Sequence, residues 1–259
     1  AFTGDNFTVY VPYSKQAAYN VVFQGYLARI ESLPITITFV NDGVEINTIN
    51  TYFGATINTL GNTPIKQGYD FAGWYDNVEY TGIKYELGGL WDTTENLTVY
   101  AKWTPKVYYI NFTGYGTNSF ADKAVTYNES IGELPVVTRE GYTFFGWKNE
   151  YGNYFSEDDI WTSTSNQTVT ADLRANLYII TFNGNGGIPS VGAQTIEYDS
   201  VITTLANATR EGYTFTGWNT AADGNGQAVI APYTYTTSDH ITLYAQYTKN
   251  QYVVMFDKQ

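Results

Sequence analysis

"TREGYTFTGW" at residues 209–218 is a near copy of "TREGYTFFGW" at 138–147, and "IKQGYDFAGW" at 65–74 is a looser third version. The Gly-Trp pairs of the three stretches fall at 73–74, 146–147 and 217–218, intervals of 73 and 71 residues. Other landmarks keep the same step. A strand-like start reads "ITITFVNDG" (35–43), "YYINFTGYG" (108–116) and "YIITFNGNGG" (178–187). A strand-like finish reads "LTVYAKW" (97–103), "QTVTADL" (167–173) and "ITLYAQY" (241–247). Self-similarity at a fixed period is the signature of a repeat architecture, so the chain reads as tandem copies of one small module.

Within a unit, alternating apolar residues give a first strand, and Gly/Asn-rich segments give turns. A second strand ends near Tyr52, Tyr127 and Tyr198 in the three units. In "SIGELP" (130–135), Ser130 and Glu133 have capping-box spacing, and Ile131 and Leu134 share a helical face. Pro135 would stop that turn, which predicts a short helix. The Gly-Tyr-x-Phe-x-Gly-Trp strand, a variable loop and a last strand follow. The expected fold is mainly β, of α+β type: small modules ordered strand, strand, short helix, strand, strand. The boundaries expected are 35–106, 107–177 and 178–251, with 252–259 starting a fourth copy. Spacers such as "TPK" (104–106) and "TKNQ" (248–251) are short, which predicts a semi-rigid, elongated string.

Composition agrees with a β protein. Aromatics are abundant (Tyr 25, Phe 14, Trp 6) and charged residues few, at 15%. Aromatic and β-branched side chains suit a pleated surface, while Gly and Asn supply turns. The formal net charge of −12 would repel a phosphate backbone, which argues against nucleic acid as a partner. The chain has no cysteine, which removes disulfides and thiolate metal sites. No apolar run approaches the roughly 18–20 residues of a membrane span. The first and last residues, Ala1 and "YVVMFDKQ", read as cut ends, with any targeting segment lying outside this piece.

The unit "ITFNGNGG…IEYDS…TREGYTFTGWNT…ITLYAQY" resembles the Listeria–Bacteroides repeat, or internalin B-repeat. Unit three is nearest to that pattern. Unit one lacks the Arg and the Gly-Gly turn, and unit two has Leu173 in place of the final aromatic. The resemblance implies β-grasp-like modules in a large bacterial surface protein, secreted or wall-anchored. It further implies a stalk or spacer role in an adhesin-like protein. Residues 1–34, "AFTGDNFTVYVPYSKQAAYNVVFQGYLARIESLP", resemble the C-terminal end of a BspA-like leucine-rich repeat array. In them Ser14 is placed to cap a helix carrying Tyr19, Val22, Phe23, Tyr26, Ile30 and Leu33, ended by Pro34.

Chemistry-bearing residues are sparse. The only histidine, His240, lacks a counterpart in the other units and reads as a solvated turn residue. Glu157, Asp158 and Asp159 could serve glycosidase or calcium chemistry, but units one and three lack the cluster, so a solvated loop is the better reading. Asp223 and Asn225 echo part of a calcium loop without its closing Glu, which favours a β-turn. "NGNGG" (183–187) leads into a strand without Gly-Lys-Ser/Thr, so it reads as a hairpin turn. Asn6, Asn96, Asn111, Asn128, Asn166 and Asn207 begin Asn-x-Ser/Thr triplets, as an Asn- and Thr-rich chain does by chance. No Lys recurs at one repeat position, so nothing supports a Lys–Asn crosslink.

The aromatic residues are the main contest. Tyr69, Phe71 and Trp74, Tyr142, Phe144 and Trp147, and Tyr213, Phe215 and Trp218 either fill cores or form ligand platforms. Trp91, Trp161 and Tyr235 share a repeat position and belong to the same question. A module of about 70 residues is hard to stabilise, and large aromatics bury about 150–250 Å² each, which favours core. In the motif Tyr and Phe share a strand face while Trp falls in the other phase. The Gly before it permits a bulge that could swing Trp across. No enzymatic activity and no cofactor or metal is expected. A host protein or glycan contacting loops 75–91, 148–161 and 219–235 is the alternative partner, and the chain is expected to be a monomer.

Overall fold

The computed structural model describes residues 8–22, 29–114 and 120–256. Asn6, Phe23, Tyr26, the first seven residues and 257–259 lie outside the described residues. The chain is mainly β: several small sheets in tandem, with one short α-helix near the N-terminus. It divides into two compact units, one of 1–109, 123–132 and 158–166 and the other of 110–122, 133–157 and 167–259.

The first unit holds the first module. Its five-stranded sheet runs second, first, final, aromatic and edge strand: Val44–Tyr52, Pro34–Asn41, Leu97–Pro105, Tyr69–Tyr75 and Lys84–Tyr85. In the first strand Ile35, Ile37 and Phe39 point into the core while Thr36 and Thr38 point away, the period-2 alternation of a sheet with one buried face. Asp42 and Gly43 both have positive φ (47° and 81°) and join the first two strands, as a two-residue turn matched to strand twist requires. The first and final strands are parallel, with Ile37 beside Leu97 and Val40 beside Tyr100. All other pairs in this sheet are antiparallel.

The second unit holds the third module, whose sheet repeats this order. Ala193–Glu197, Leu177–Asn183, Ile241–Lys249, Tyr213–Asn219 and Ala228–Val229 take the same five places, and Ile180 to Asn183 run parallel beside Ile241 to Tyr244. The same unit contains four strands of the second module. Gln167–Ala175 lies between Ile110–Thr113 (parallel) and Tyr142–Lys148 (antiparallel), and Tyr154–Phe155 pairs with the latter.

Each aromatic strand carries a bulge. Pairing with the final strand slips between Phe71 and Gly73, between Phe144 and Trp147, and between Phe215 and Gly217. Gly73, Gly146 and Gly217 sit at φ 127°, 133° and 139°, backbone that L side chains rarely adopt. The extra residue turns the strand by one position. Trp74, Trp147 and Trp218 therefore join Phe71, Phe144 and Phe215 on the core side, where strict alternation would have turned them outward.

Three expectations need correction. The helix expected over 130–135 does not form. Gly132 takes φ 72°, and Ser130 Oγ accepts from the Gly132 N–H, two residues on instead of three. The Pro135 carbonyl receives the Trp147 indole and the Ile131 N–H donates to the Asp159 carbonyl, so partners distant in sequence satisfy this backbone in place of helical bonds. The N-terminal helix is also shorter than its apolar spacing suggests, spanning Gln16–Val22 after a 3₁₀ turn at Tyr13–Lys15. Arg29–Ser32, with Ile30 inside it, is a strand paired in parallel with Thr8–Val11, and Pro34 opens a strand instead of ending a helix. Finally, "NGNGG" is more than a tight hairpin turn. After Asn185 and Gly186, both at positive φ, Ile188–Pro189 pairs with Ala208–Thr209 before the second strand begins.

Candidate functional site

The recurring aromatics divide between two places. Trp74, Trp147 and Trp218 are 1–3% exposed. Each lies between two phenylalanines: Phe39 and Phe71 at 4.9 and 5.3 Å, Phe112 and Phe144 at 4.6 and 5.5 Å, Phe182 and Phe215 at 4.8 and 5.4 Å. The indoles of Trp147 and Trp218 donate to the carbonyls of Pro135 and Ala206 at 2.7 and 2.6 Å. Trp91, Trp161 and Tyr235 are buried as well, and the Tyr235 hydroxyl donates to the Asp239 carbonyl. None of these rings is free to stack on a sugar. Tyr69, Tyr142 and Tyr213 behave differently: they are half-buried at the ends of the modules.

In the first unit Tyr69 meets Tyr127 edge-on, with centroids 5.4 Å apart. Tyr127 is the residue that ends the second strand of the next module. A Cβ on Gly68 would lie 2.4–2.5 Å from three carbons of that ring, so only glycine lets it seat. The backbone closes the contact: Lys106 N–H donates to Gly68 O, and Tyr127 N–H donates to Lys106 O, both at 2.9 Å. The second unit repeats this construction between modules two and three. Tyr142 and Tyr198 are edge-on at 5.8 Å, and a Gly141 Cβ would fall 2.2–2.4 Å from the Tyr198 ring. Asn176 N–H donates to Gly141 O at 2.8 Å, and Tyr198 N–H to Asn176 O at 3.0 Å.

Polar groups reinforce this second clasp. The Arg139 guanidinium lies 3.9 Å over the Tyr142 ring and 3.3 Å from the Asp199 carboxylate, which also accepts the Tyr142 hydroxyl at 3.0 Å. Ser238 donates to Glu140 at 2.9 Å. Burial, together with the bond to Asp199, raises the Tyr142 phenol above its ordinary pKa. Sequence reasoning identified Tyr52, Tyr127 and Tyr198 only as strand ends. The signal for Tyr127 and Tyr198 was their recurrence 59 and 57 positions after Gly68 and Gly141, a recurrence that does not by itself say which residues touch.

A family model of the Listeria-Bacteroides repeat domain matches residues 36–102, 108–172 and 178–246. The chain belongs to the Listeria-Bacteroides repeat family. It is 31% identical over 238 residues to a protein of Evansella cellulosilytica whose name describes it as a membrane protein, covering 89% of this chain and 34% of that one. A second protein of that organism, named as a Gly-rich membrane protein, is 30% identical over 243 residues, covering 92% of this chain and 26% of the relative. Internalin H of Listeria monocytogenes is 34% identical over 125 residues, 48% of this chain and 22% of its own length. The chain thus spans about a third or less of each of these relatives. Among its described residues no helix is long and apolar enough to cross a membrane.

Each Listeria-Bacteroides repeat in the chain also places a side-chain acceptor just before its final strand. Asn96 Oδ1 accepts the Thr36 N–H at 2.8 Å and Asn166 Oδ1 the Tyr109 N–H at 3.0 Å. In the third repeat His240 Nδ1 accepts the Ile179 N–H at 2.9 Å. The lone histidine therefore does what asparagine does in the other two repeats, and two of the Asn-x-Thr triplets owe their asparagine to this bond. Glu157, Asp158 and Asp159 are exposed, and among the described residues no group of three or more acidic or histidine side chains is placed to hold a metal. Asp223 accepts both the backbone and side-chain N–H of Asn225, closing a local turn that lowers its pKa.

The second repeat carries a charge cluster on the residues that flank Leu173. Asp172, whose side chain is 10% exposed, pairs with Arg174 at 2.8 Å and Lys148 at 3.4 Å and accepts the Tyr154 hydroxyl. The bonds from Arg174 and Tyr154 hold its carboxyl well below the usual carboxylate range, against the opposing effect of burial. A folded pKa below the unfolded value of about 3.9 gives stability that is complete above that value and lost as pH falls below it. The stability difference between the chain and its Asp172→Asn variant, read by thermal melts, is therefore expected to be largest near neutral pH. It should shrink as pH drops from about 5 toward 2; a pH-independent difference would refute this.

Proposed function

We propose that the chain is a non-enzymatic segment of a bacterial surface protein that holds adjoining parts at a fixed spacing and orientation, as the stalk of an adhesin-like protein. The observation carrying this reading is the repeated clasp: Gly68 with Tyr127, and Gly141 with Tyr198, each closed by the single residue that links two modules. A segment meant only to tether would need no such seat, since flexible linkers do that. Membership in the repeat family and the likeness to Internalin H support a surface location, and we extend this to a protein secreted or wall-anchored outside the cell. Residues 1–34 fit the reading as the end of a leucine-rich repeat domain, given the parallel pairing of Thr8–Val11 with Arg29–Ser32 across a helix.

Since the chain lacks cysteine, spin labels can be placed at will, for example on engineered cysteines at exposed Glu150 and Thr216. A narrow distance distribution between these modules is expected, broadening in Tyr198→Ala. A broad distribution in the unaltered chain would refute the spacer role. A second reading, binding to a host protein or glycan, is favoured by one observation. The variable loops expose large apolar side chains: Val78, Ile83 and Leu87, then Tyr151, then Ile230. Saturable binding on glycan or host-protein arrays, abolished by Tyr151→Ser with Ile230→Ser, would establish it.

A further inference from the structure

We propose that the Arg210–Tyr213 end of the third module is a docking seat for one more module of the same kind, specifically for the tyrosine that ends that module's second strand. The inference deepens the spacer reading but rests on the clasp geometry alone. Every part of the seat that the third module can supply by itself is already in place. Asn250 N–H donates to Gly212 O at 2.9 Å, as Asn176 N–H does to Gly141 O at 2.8 Å. Thr214 donates to the Asn250 side chain at 2.7 Å, as Thr143 does to Asn176 at 2.6 Å. The Arg210 guanidinium lies 4.1 Å over Tyr213, as Arg139 lies 3.9 Å over Tyr142. Gly212 keeps φ 74°, matching the 75° of Gly141.

What differs is the occupant. A Cβ on Gly141 or Gly68 would strike a tyrosine ring, whereas one on Gly212 would meet no atom within 4 Å. Just past the seat, Tyr252, Val254 and Phe256 repeat the spacing of Tyr178, Ile180 and Phe182, the first strand of a module. Val254 is 72% exposed where its counterpart Ile180 is fully buried, so this segment presents a first-strand pattern that no sheet covers. Arg210 supplies the cation that would meet an acidic or amide residue after the incoming tyrosine, as Arg139 meets Asp199.

The test lengthens the chain by joining a second copy of residues 178–251 directly after Gln251. This sets a new Tyr198–Asp199 pair as far beyond Asn250 as the first lies beyond Asn176. Protons on a glycine beneath a tyrosine ring are shifted upfield by the ring current. In the chain as it stands the Gly68 and Gly141 Hα signals are expected upfield and Gly212 at an ordinary position. In the lengthened chain Gly212 joins the other two, and the copied Tyr198→Leu returns it. A second extension, residues 108–177 after Gln251, brings Tyr127 to the same place in case the first copy fails to fold. Gly212 protons unmoved by both extensions would overturn the proposal. So would an upfield Gly212 signal that appears in the unextended chain at high concentration and fades on dilution, which would assign the seat to a second copy of the chain.

Discussion

Trp147→Ala is expected to remove about 3–5 kcal/mol from the second module, the range typical of truncating a large aromatic in a core. Such a loss is a large share of the 5–15 kcal/mol that holds a typical domain folded. Trp147 contacts Phe112 and Phe144, and its indole occupies the Pro135 carbonyl, so the variant leaves a cavity and an unmet acceptor together. Amide hydrogen exchange locates the effect. Protection should fall at Val169, in the second module, and hold at Leu243, in the core of the third. Equal loss at both sites would mean that the modules share one core, and no loss would mean that Trp147 is not structural.

Gly141→Ala and Gly212→Ala form a matched pair with nearly the same φ, 75° and 74°, and opposite surroundings. Both carry the cost of a left-handed backbone at an L residue, about 1–2 kcal/mol. Only Gly141→Ala also drives a methyl into the Tyr198 ring, adding about 1–3 kcal/mol of overpacking. Gly141→Ala is therefore expected to cost about 2–5 kcal/mol and Gly212→Ala no more than the backbone share, read by thermal or denaturant melts. Adding Tyr198→Ala to Gly141→Ala should relieve the clash, so the pair costs less than the sum of its parts. Strict additivity would show that the ring is not seated on Gly141.

The repeats and the strands were legible because each rests on local pattern. The alternation of Ile35, Ile37 and Phe39 reads at once as a strand, and Gly before Trp74, Trp147 and Trp218 allowed for a bulge that the pairing then displays. The 130–135 helix misled because Ser130 and Glu133 have the right spacing while Gly132, between them, takes a conformation that no helix contains. The clasp was hidden for a different reason. Tyr127 and Tyr198 meet glycines 59 and 57 positions earlier in another module, and period alone does not say which neighbours touch. His240 was hidden by chemistry: an imidazole nitrogen and an amide oxygen are different residues but equivalent acceptors for the Ile179 and Thr36 amides.

The parallel pairing at the centre of each sheet has a mechanical side. The chain enters the first module along Pro34–Asn41 and leaves along Leu97–Pro105, and in the third it enters along Leu177–Asn183 and leaves along Ile241–Lys249. Because the two strands of each pair point the same way, entry and exit lie at opposite ends of one ladder. Tension carried along the backbone then loads the bonds from Ile37 to Val40, or from Ile180 to Asn183, in shear. They must yield together, where an antiparallel pair pulled from one end would unzip bond by bond.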